Sequence, residues 1–385
     1  MRHSDDRILV THAGRLSASL REFEPFDLKV GRGEPYDVAE YTRMRRDAIE
    51  DVIRHQLDLG VDVISDGELG RRRDYTFYSK RMSGIERRDV KPGDVGASIF
   101  RSRERERFKG YYAEVDKQRP QVARPTKIVC VGPLKTLSLD DLHAELAEFK
   151  NALGDCDVEA FFPVIAPGWL DHFIFNEYYK SDEEFVFALA EVMRPEYQAV
   201  VDAGFILQVD DPGLADAWPT FIPAPTIEEY RRYARIRIDA LNHALKGIPA
   251  ERIRYHCCWG SWIGPHTEDI GLKDIADLML MLNIQAYSIE AANAQHEHEW
   301  KVWRDIKLPE GKILIPGVVT HKTAVVEHPE LVADRLIRYA ELVGRENVQA
   351  GTDCGMGLGR SHYEVGWAKI SAMVEGARLA SEQLW

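Results

Sequence analysis

The residues best suited to chemistry lie in Tyr255-His256-Cys257-Cys258-Trp259-Gly260. Side chains alternate faces along an extended strand, so His256 and Cys258 point one way and Cys257 the other. That pair is half of a metal site. Two later stretches, Ser288-Ile289-Glu290 and Gly351-Thr352-Asp353-Cys354-Gly355, each place a ligating side chain just after a short apolar run. His256, Cys258, Glu290 and Cys354 form an N, S, O, S donor set, which suits tetrahedral zinc (Zn2+) better than magnesium or calcium, whose ligands are oxygens. A lone His-x-Cys is a weak motif, and ordinary packing is the alternative reading for each of the four. Zinc would deprotonate a bound thiol, whose free pKa is about 8.5, to give a metal-held nucleophile; this predicts thiol alkylation. A zinc hydrolase is the rival. It needs a bound water and a general base, and two thiolate ligands make the metal a poorer Lewis acid for that purpose.

These side chains are far apart in sequence, so a scaffold must bring strand ends together. Short β-rich runs at 7–12, 61–65, 127–131, 205–212, 253–256, 286–290, 311–318 and 348–351 read as eight strands. Helical patterns cover Val38–Leu59, Asp140–Leu153, Asp182–Asp202, Ile227–Leu245, Lys273–Leu282 and Pro329–Val343, and Gly60 stands where a C-cap would stop the first of them. Strands alternating with helices point to an α/β fold, a single TIM-type (β/α)8 barrel over residues 1–385 with loop insertions at its C-terminal face; an open doubly wound sheet is the competing architecture. Ala160-Phe161-Phe162-Pro163-Val164 is apolar, but Pro163 argues against a central strand, so it reads as a loop or edge segment. Residues 80–125 are the least regular and read as an insertion or lid. The charge run Arg101–Arg107 within it reads as a solvated face, or else as a source of arginines for an anionic substrate. In a barrel, sites form at the C-terminal strand ends, and His12, Glu68, Asp210, His256, Cys258, Glu290 and Cys354 all fall there.

Composition sets outer limits. The 385 residues are 45% hydrophobic and 29% charged, an ordinary globular balance. With a net charge of −13 and a pI near 5.5, general affinity for nucleic acid or an anionic membrane is not expected. No stretch reaches the ~20 apolar residues of a membrane span, and the first residues lack a signal-peptide core, so a cytoplasmic location is expected. Five cysteines without such a signal argue for reduced thiols. Cys130, Cys156 and Cys257 read as buried small hydrophobes.

Taken in order, the Thr11-His12 opening ending in Gly14, Asp66-Gly67-Glu68, Gly132-Pro133, Gln208-Val209-Asp210-Asp211-Pro212, His256-Cys257-Cys258, Ile289-Glu290, Gly317-Val318 and Asp353-Cys354-Gly355 form a pattern. It resembles the catalytic barrel of the cobalamin-independent methionine synthase family. The resemblance implies that His256, Cys258, Glu290 and Cys354 ligate zinc, and that Glu68 and Asp210 hold the amino group of a thiol substrate. Val319-Thr320-His321-Lys322, the aromatic stretch after Ala160 and Trp259-Gly260-Ser261-Trp262 look more like the branch containing epoxyalkane:coenzyme M transferase. The leading expectation is therefore a zinc-dependent S-alkyltransferase joining a small thiol, such as coenzyme M, to an electrophilic alkyl donor such as an epoxide. Methyl transfer from methyl-folate to homocysteine is the alternative, and a metal-free decarboxylase or a non-catalytic zinc protein are further ones. Opening an epoxide leaves an alkoxide that needs a proton, for which His12, Tyr75 and His321 are candidates. Arg71, with Arg72 and Arg73, could bind a sulfonate or carboxylate tail. The oligomeric state is open, and a homo-oligomer is compatible with the sequence.

Overall fold

The structure is a computed structural model, and it describes all residues except 21, 32–33, 72–77, 91–100, 119–125 and 358–361. Tyr75, Arg72 and Arg73 lie outside the described residues. Eight parallel strands form the central sheet: β1 Leu9–Val10, β2 Val63–Ile64, β3 Glu159–Ile165, β4 Ile206–Asp210, β5 Ile253–Cys257, β6 Ala286–Ile289, β7 Ile313–Val319 and β8 Gln349–Thr352. Each pairs with its sequence neighbour from β2 to β8, and β1 pairs with β8 through Leu9↔Gln349 and Val10↔Ala350. Two hydrogen bonds close the circle between β1 and β2, from Asp62 N to Val10 O at 2.9 Å and from Thr11 Oγ1 to Val63 O at 2.9 Å. The fold is a nearly closed α/β barrel of the (β/α)8 kind.

One strand differs from the sequence reading. The run Thr126–Cys130 is not a barrel strand; it pairs with Ile85–Asp89 and Ile174–Asn176 in a separate three-stranded sheet. The third barrel strand is instead β3, which contains Pro163. Its ladder to β2 ends at Ala160, so from Phe161 onward β3 pairs with β4 alone. A residue without an N–H is tolerated on the side where no ladder continues.

The helices follow from local chemistry. Val38–Leu59 is capped by the Asp37 carboxylate, which accepts from Glu40 N at 3.0 Å, and is ended by Gly60 at φ 86°. Ile227–Ala244 begins with a reciprocal Thr226/Glu229 capping box. Only the span 273–282 falls short, giving a 3-10 turn Leu272–Asp274 and a brief helix Ala276–Met279. There Leu272 N donates to Glu299 Oε1 at 2.7 Å, so a tertiary contact replaces a helical start. Strand and helix faces share one large core that includes Ile64, Phe162, Val209, Ile253 and Cys257. Fully burying such side chains stabilises the fold by about 1.5–3 kcal/mol each. Cys257 and Cys130 are buried as expected, whereas Cys156 is exposed, in the turn after helix Asp140–Leu153. Among the described residues no helix is long and apolar enough to cross a membrane.

Residues 80–125 contribute the strand Ile85–Asp89 and the helices Arg103–Arg107 and Lys109–Gln118. The helices rest on the loop that follows β5. Glu104 is buried and accepts from Thr267 N at 2.9 Å and from the Tyr112 hydroxyl, and Tyr111 donates to Ile263 O at 3.0 Å. Arg103 donates to Trp218 O and Phe221 O, and Arg107 pairs with Glu268. These two arginines are thus committed to protein partners rather than offered to an anionic substrate.

Candidate metal centre

Strand β5 delivers His256 to the barrel mouth and Cys258 just beyond it, while the turn after β8 delivers Cys354. One donor atom from each lies within 4.8 Å of the other two. The two Sγ atoms are 4.0 Å apart, close to the ~3.8 Å edge of a tetrahedron with metal–sulfur bonds of about 2.3 Å. His256 Nδ1 meets Ser288 Oγ at 3.2 Å, whereas Nε2 is buried with no nitrogen or oxygen partner among the described residues. A buried imidazole nitrogen beside two thiols is a donor set for a soft or borderline transition metal. Ser261 Oγ, 3.2 Å from Cys354 Sγ, adds a polar neighbour.

Glu290 does not join these three. Its carboxylate clusters with His321 and Asp353 instead. Three donors hold it: Trp259 N at 2.8 Å, Asn293 Nδ2 at 2.7 Å and Lys322 Nζ at 2.8 Å. Asp353 Oδ1 accepts from Ala291 N and Ala292 N, each at 2.7 Å, tying the turn that carries Cys354 to the turn that carries Glu290. Burial, and then Glu290, push the Asp353 carboxyl up to about 7.

Two carboxylates stand beside this cluster in the mouth. Asp210 lies opposite His256 in the β4–β5 register. Burial pushes its carboxyl up to about 7; the proximity of His256 opposes that shift and Glu68 adds to it. Glu68 is buried at a φ of 56°, with Oε1 lying 2.3 Å from where a Cβ on Gly14 would stand, and the φ of 131° at position 14 favours glycine there. Its backbone N–H donates to Asp66 Oδ1 at 3.1 Å. Two acids in one mouth would accept hydrogen bonds from an ammonium group.

Three sequence candidates take other parts. Arg71 is buried, pairs with Asp66 through both terminal nitrogens and lies over the Phe162 ring, so it anchors the Glu68 turn and is not available to a substrate tail. His12 is buried too. Its Nδ1 accepts from Gly14 N at 3.1 Å, its Nε2 donates to Gln56 Oε1 at 2.8 Å, and burial holds its pKa down to about 3. A neutral ring bonded at both nitrogens cannot deliver a proton at neutral pH. His321 is buried beside Glu290 and Asp353.

The family described as cobalamin-independent synthase, catalytic domain, matches residues 175–379, more than half of the chain. The chain belongs to that family. Among curated relatives, the methionine synthase of Sulfurisphaera tokodaii is 24% identical over 343 residues, covering 88% of this chain and 82% of that protein. The methionine synthase of Sulfolobus acidocaldarius is 25% identical over 343 residues with the same coverage. Of solved structures, a B12-independent methionine synthase from Shewanella sp. W3-18-1, in complex with selenomethionine, superposes with a TM-score of 0.71 at 19% identity over 98% of this chain and 99% of that one. A vitamin-B12 independent methionine synthase from Listeria monocytogenes, so described as putative in its own right, gives 0.66 at 19% identity, with coverage of 98% and 99%. These two structural likenesses show that the chain shares the barrel fold.

Sequence reasoning missed a charged network behind the centre. His296 donates from Nδ1 to Glu299 Oε2 at 2.9 Å and from Nε2 to Asp269 Oδ2 at 3.0 Å, so its ring is an imidazolium. It stacks on Trp259 at 3.9 Å between ring centroids. Asp269 Oδ2 also meets His266 Nδ1 at 2.9 Å, and His266 Nε2 lies 3.1 Å from Lys322 Nζ. The run of histidines and acids between 266 and 299 was the available signal, but its spacing fits no single helix face.

This network makes stability depend on pH. Burial works against the His296 cation, yet the bonds to Asp269 and Glu299 outweigh it and raise the pKa from 6.5 to about 9. A raised pKa gives stability that is complete below pH 6.5 and is lost as pH rises through about 9. Urea unfolding is expected to show the parent losing up to about 3 kcal/mol across that window. His296→Gln should start lower and change less with pH; an equally steep loss in the variant would show that another group titrates.

Proposed function

We propose that the chain holds zinc between His256, Cys258 and Cys354 and transfers a methyl group to the sulfur of a small aminothiol, with homocysteine as the acceptor. The observation that carries this reading is the buried His256 Nε2, without a nitrogen or oxygen partner among the described residues, beside two sulfurs 4.0 Å apart and in the same mouth as Asp210 and Glu68. Zinc bound there would supply a thiolate at neutral pH, since coordination removes the thiol proton. The chain's own residues do the positioning. Asp210 and Glu68 accept hydrogen bonds from the substrate ammonium, while Arg71 and Gly14 fix the turn that presents Glu68.

Methyl transfer is favoured over epoxide opening by one observation: the curated relatives carry the name methionine synthase. Either reaction needs a proton for the atom the carbon leaves, N5 of the folate or the epoxide oxygen that stays on the product, and His12, neutral and bonded at both nitrogens, does not distinguish the two. The test is thiol disappearance with the zinc-loaded protein. Homocysteine with methyl-folate is expected to react, and coenzyme M with a short epoxide is not. Loss only in the second mixture would overturn methyl transfer, and loss in neither would overturn both substrate pairs.

A further inference from the structure

Glu290 is held by donors that compete with a metal for its oxygens. Its side chain is fully buried, and Lys322, only 13% exposed, places an ammonium 2.8 Å from Oε1. Charge-assisted bonds of this kind are about twice as strong as neutral ones. Asn293 takes the same oxygen at 2.7 Å and Trp259 N takes the other at 2.8 Å. One of these supports is itself braced by the charged network: Trp259 is held by the His296 stack and by its own Nε1 donating to Ile270 O at 2.7 Å. Lys322 Nζ lies 3.1 Å from His266 Nε2, which also meets Trp262 O at 3.0 Å. Trp259 directly follows Cys258, so the carboxylate stands next to the cluster while belonging to Lys322. The ammonium also occupies the neighbourhood where a second cation would otherwise sit among Glu290, His321 and Asp353.

We propose that Lys322 is a positioning residue that governs whether Glu290 ligates the metal: with Lys322 engaged, His256, Cys258 and Cys354 hold the ion and leave a coordination position to the thiol. The proposal rests on the metal assignment above. It differs from a fixed four-ligand site, in which Glu290 contributes to affinity whatever stands at position 322.

The experiment is a double-mutant cycle on the full chain, with zinc affinity measured by competition with a chromophoric chelator and geometry read from the visible spectrum of the cobalt-substituted protein. Lys322→Met frees the carboxylate and is expected to bind zinc about tenfold tighter, the scale of one hydrogen bond to a charged group. Its cobalt spectrum should change less on adding homocysteine than the parent's, since Glu290 then fills the open position. Glu290→Gln alone is expected to leave affinity unchanged, and in the Lys322→Met background to abolish the gain. Lys322→Arg keeps a cation and should restore the parent spectrum. Unchanged affinity and spectrum in Lys322→Met, or an equal loss on Glu290→Gln in both backgrounds, would overturn the proposal. Cys258→Ala in the same assay separates the two readings, because zinc retention by that variant would sink the metal assignment itself.

Discussion

Cys258→Ala is expected to purify with a small fraction of the parent's zinc and to lose thiol transfer with it. Cys258 and Cys354 supply both sulfurs of a three-donor cluster, so losing one leaves an imidazole and a single thiol. Removing residues that merely orient a metal ligand typically costs about 10–100-fold in affinity, and a ligand itself should cost more. The neighbour provides the control. Cys257 is buried in the apolar core and faces away from the cluster, so Cys257→Ala should lower stability slightly and keep its zinc. Elemental analysis of the two variants, purified side by side, is the measurement. Full occupancy in Cys258→Ala, or loss in both, would mean that the metal is not held here.

The alternation argument that separates these two cysteines is the part of the site most legible in the sequence. It depends only on the two-residue period of a strand, and the structure puts Cys257 in the core and Cys258 with His256 and Cys354. Strand ends rich in titratable residues were legible for a similar reason, because a barrel turns distant strand ends into neighbours. What stayed hidden was pairwise. Arg71 looked like an anion binder until Asp66, five residues earlier, was seen to hold it. Glu290 was legible as a candidate ligand, but not its pairing with Lys322, which comes from the loop after the next strand, a distance that no local pattern encodes. Pro163 misled because the rule against proline in central strands concerns ladder hydrogen bonds. The sequence does not show that β2 is only two residues long and leaves one side of β3 unpaired.

The close contact of β7 with the turn after β8 gives the second large effect, Gly317→Ala. A Cβ at position 317 would stand 2.1 Å from Asp353 Oδ1, 2.7 Å from its Cα and 2.8 Å from its N. Asp353 has nowhere to yield. Its Oδ1 is fixed by Ala291 N and Ala292 N, and its own N–H donates to Val319 O at 3.0 Å. The added methyl group must therefore push the backbone that leads directly into Cys354, so one substitution strains the barrel and displaces a sulfur. A stability loss of about 1–3 kcal/mol is expected from overpacking, together with a fall in zinc content. Gly351→Ala, in register with it on the facing strand, separates the two effects. There the nearest atom is the Ile315 Cγ2 methyl at 2.7 Å, and the nearest backbone atom is 3.3 Å away, so a side chain can give way. Urea unfolding and zinc content measured on both variants should show Gly317→Ala losing both properties and Gly351→Ala losing mainly stability. Parent-like zinc in a destabilised Gly317→Ala would mean that the Asp353 turn moves without carrying Cys354 with it, and that the ligand is positioned from its other neighbours.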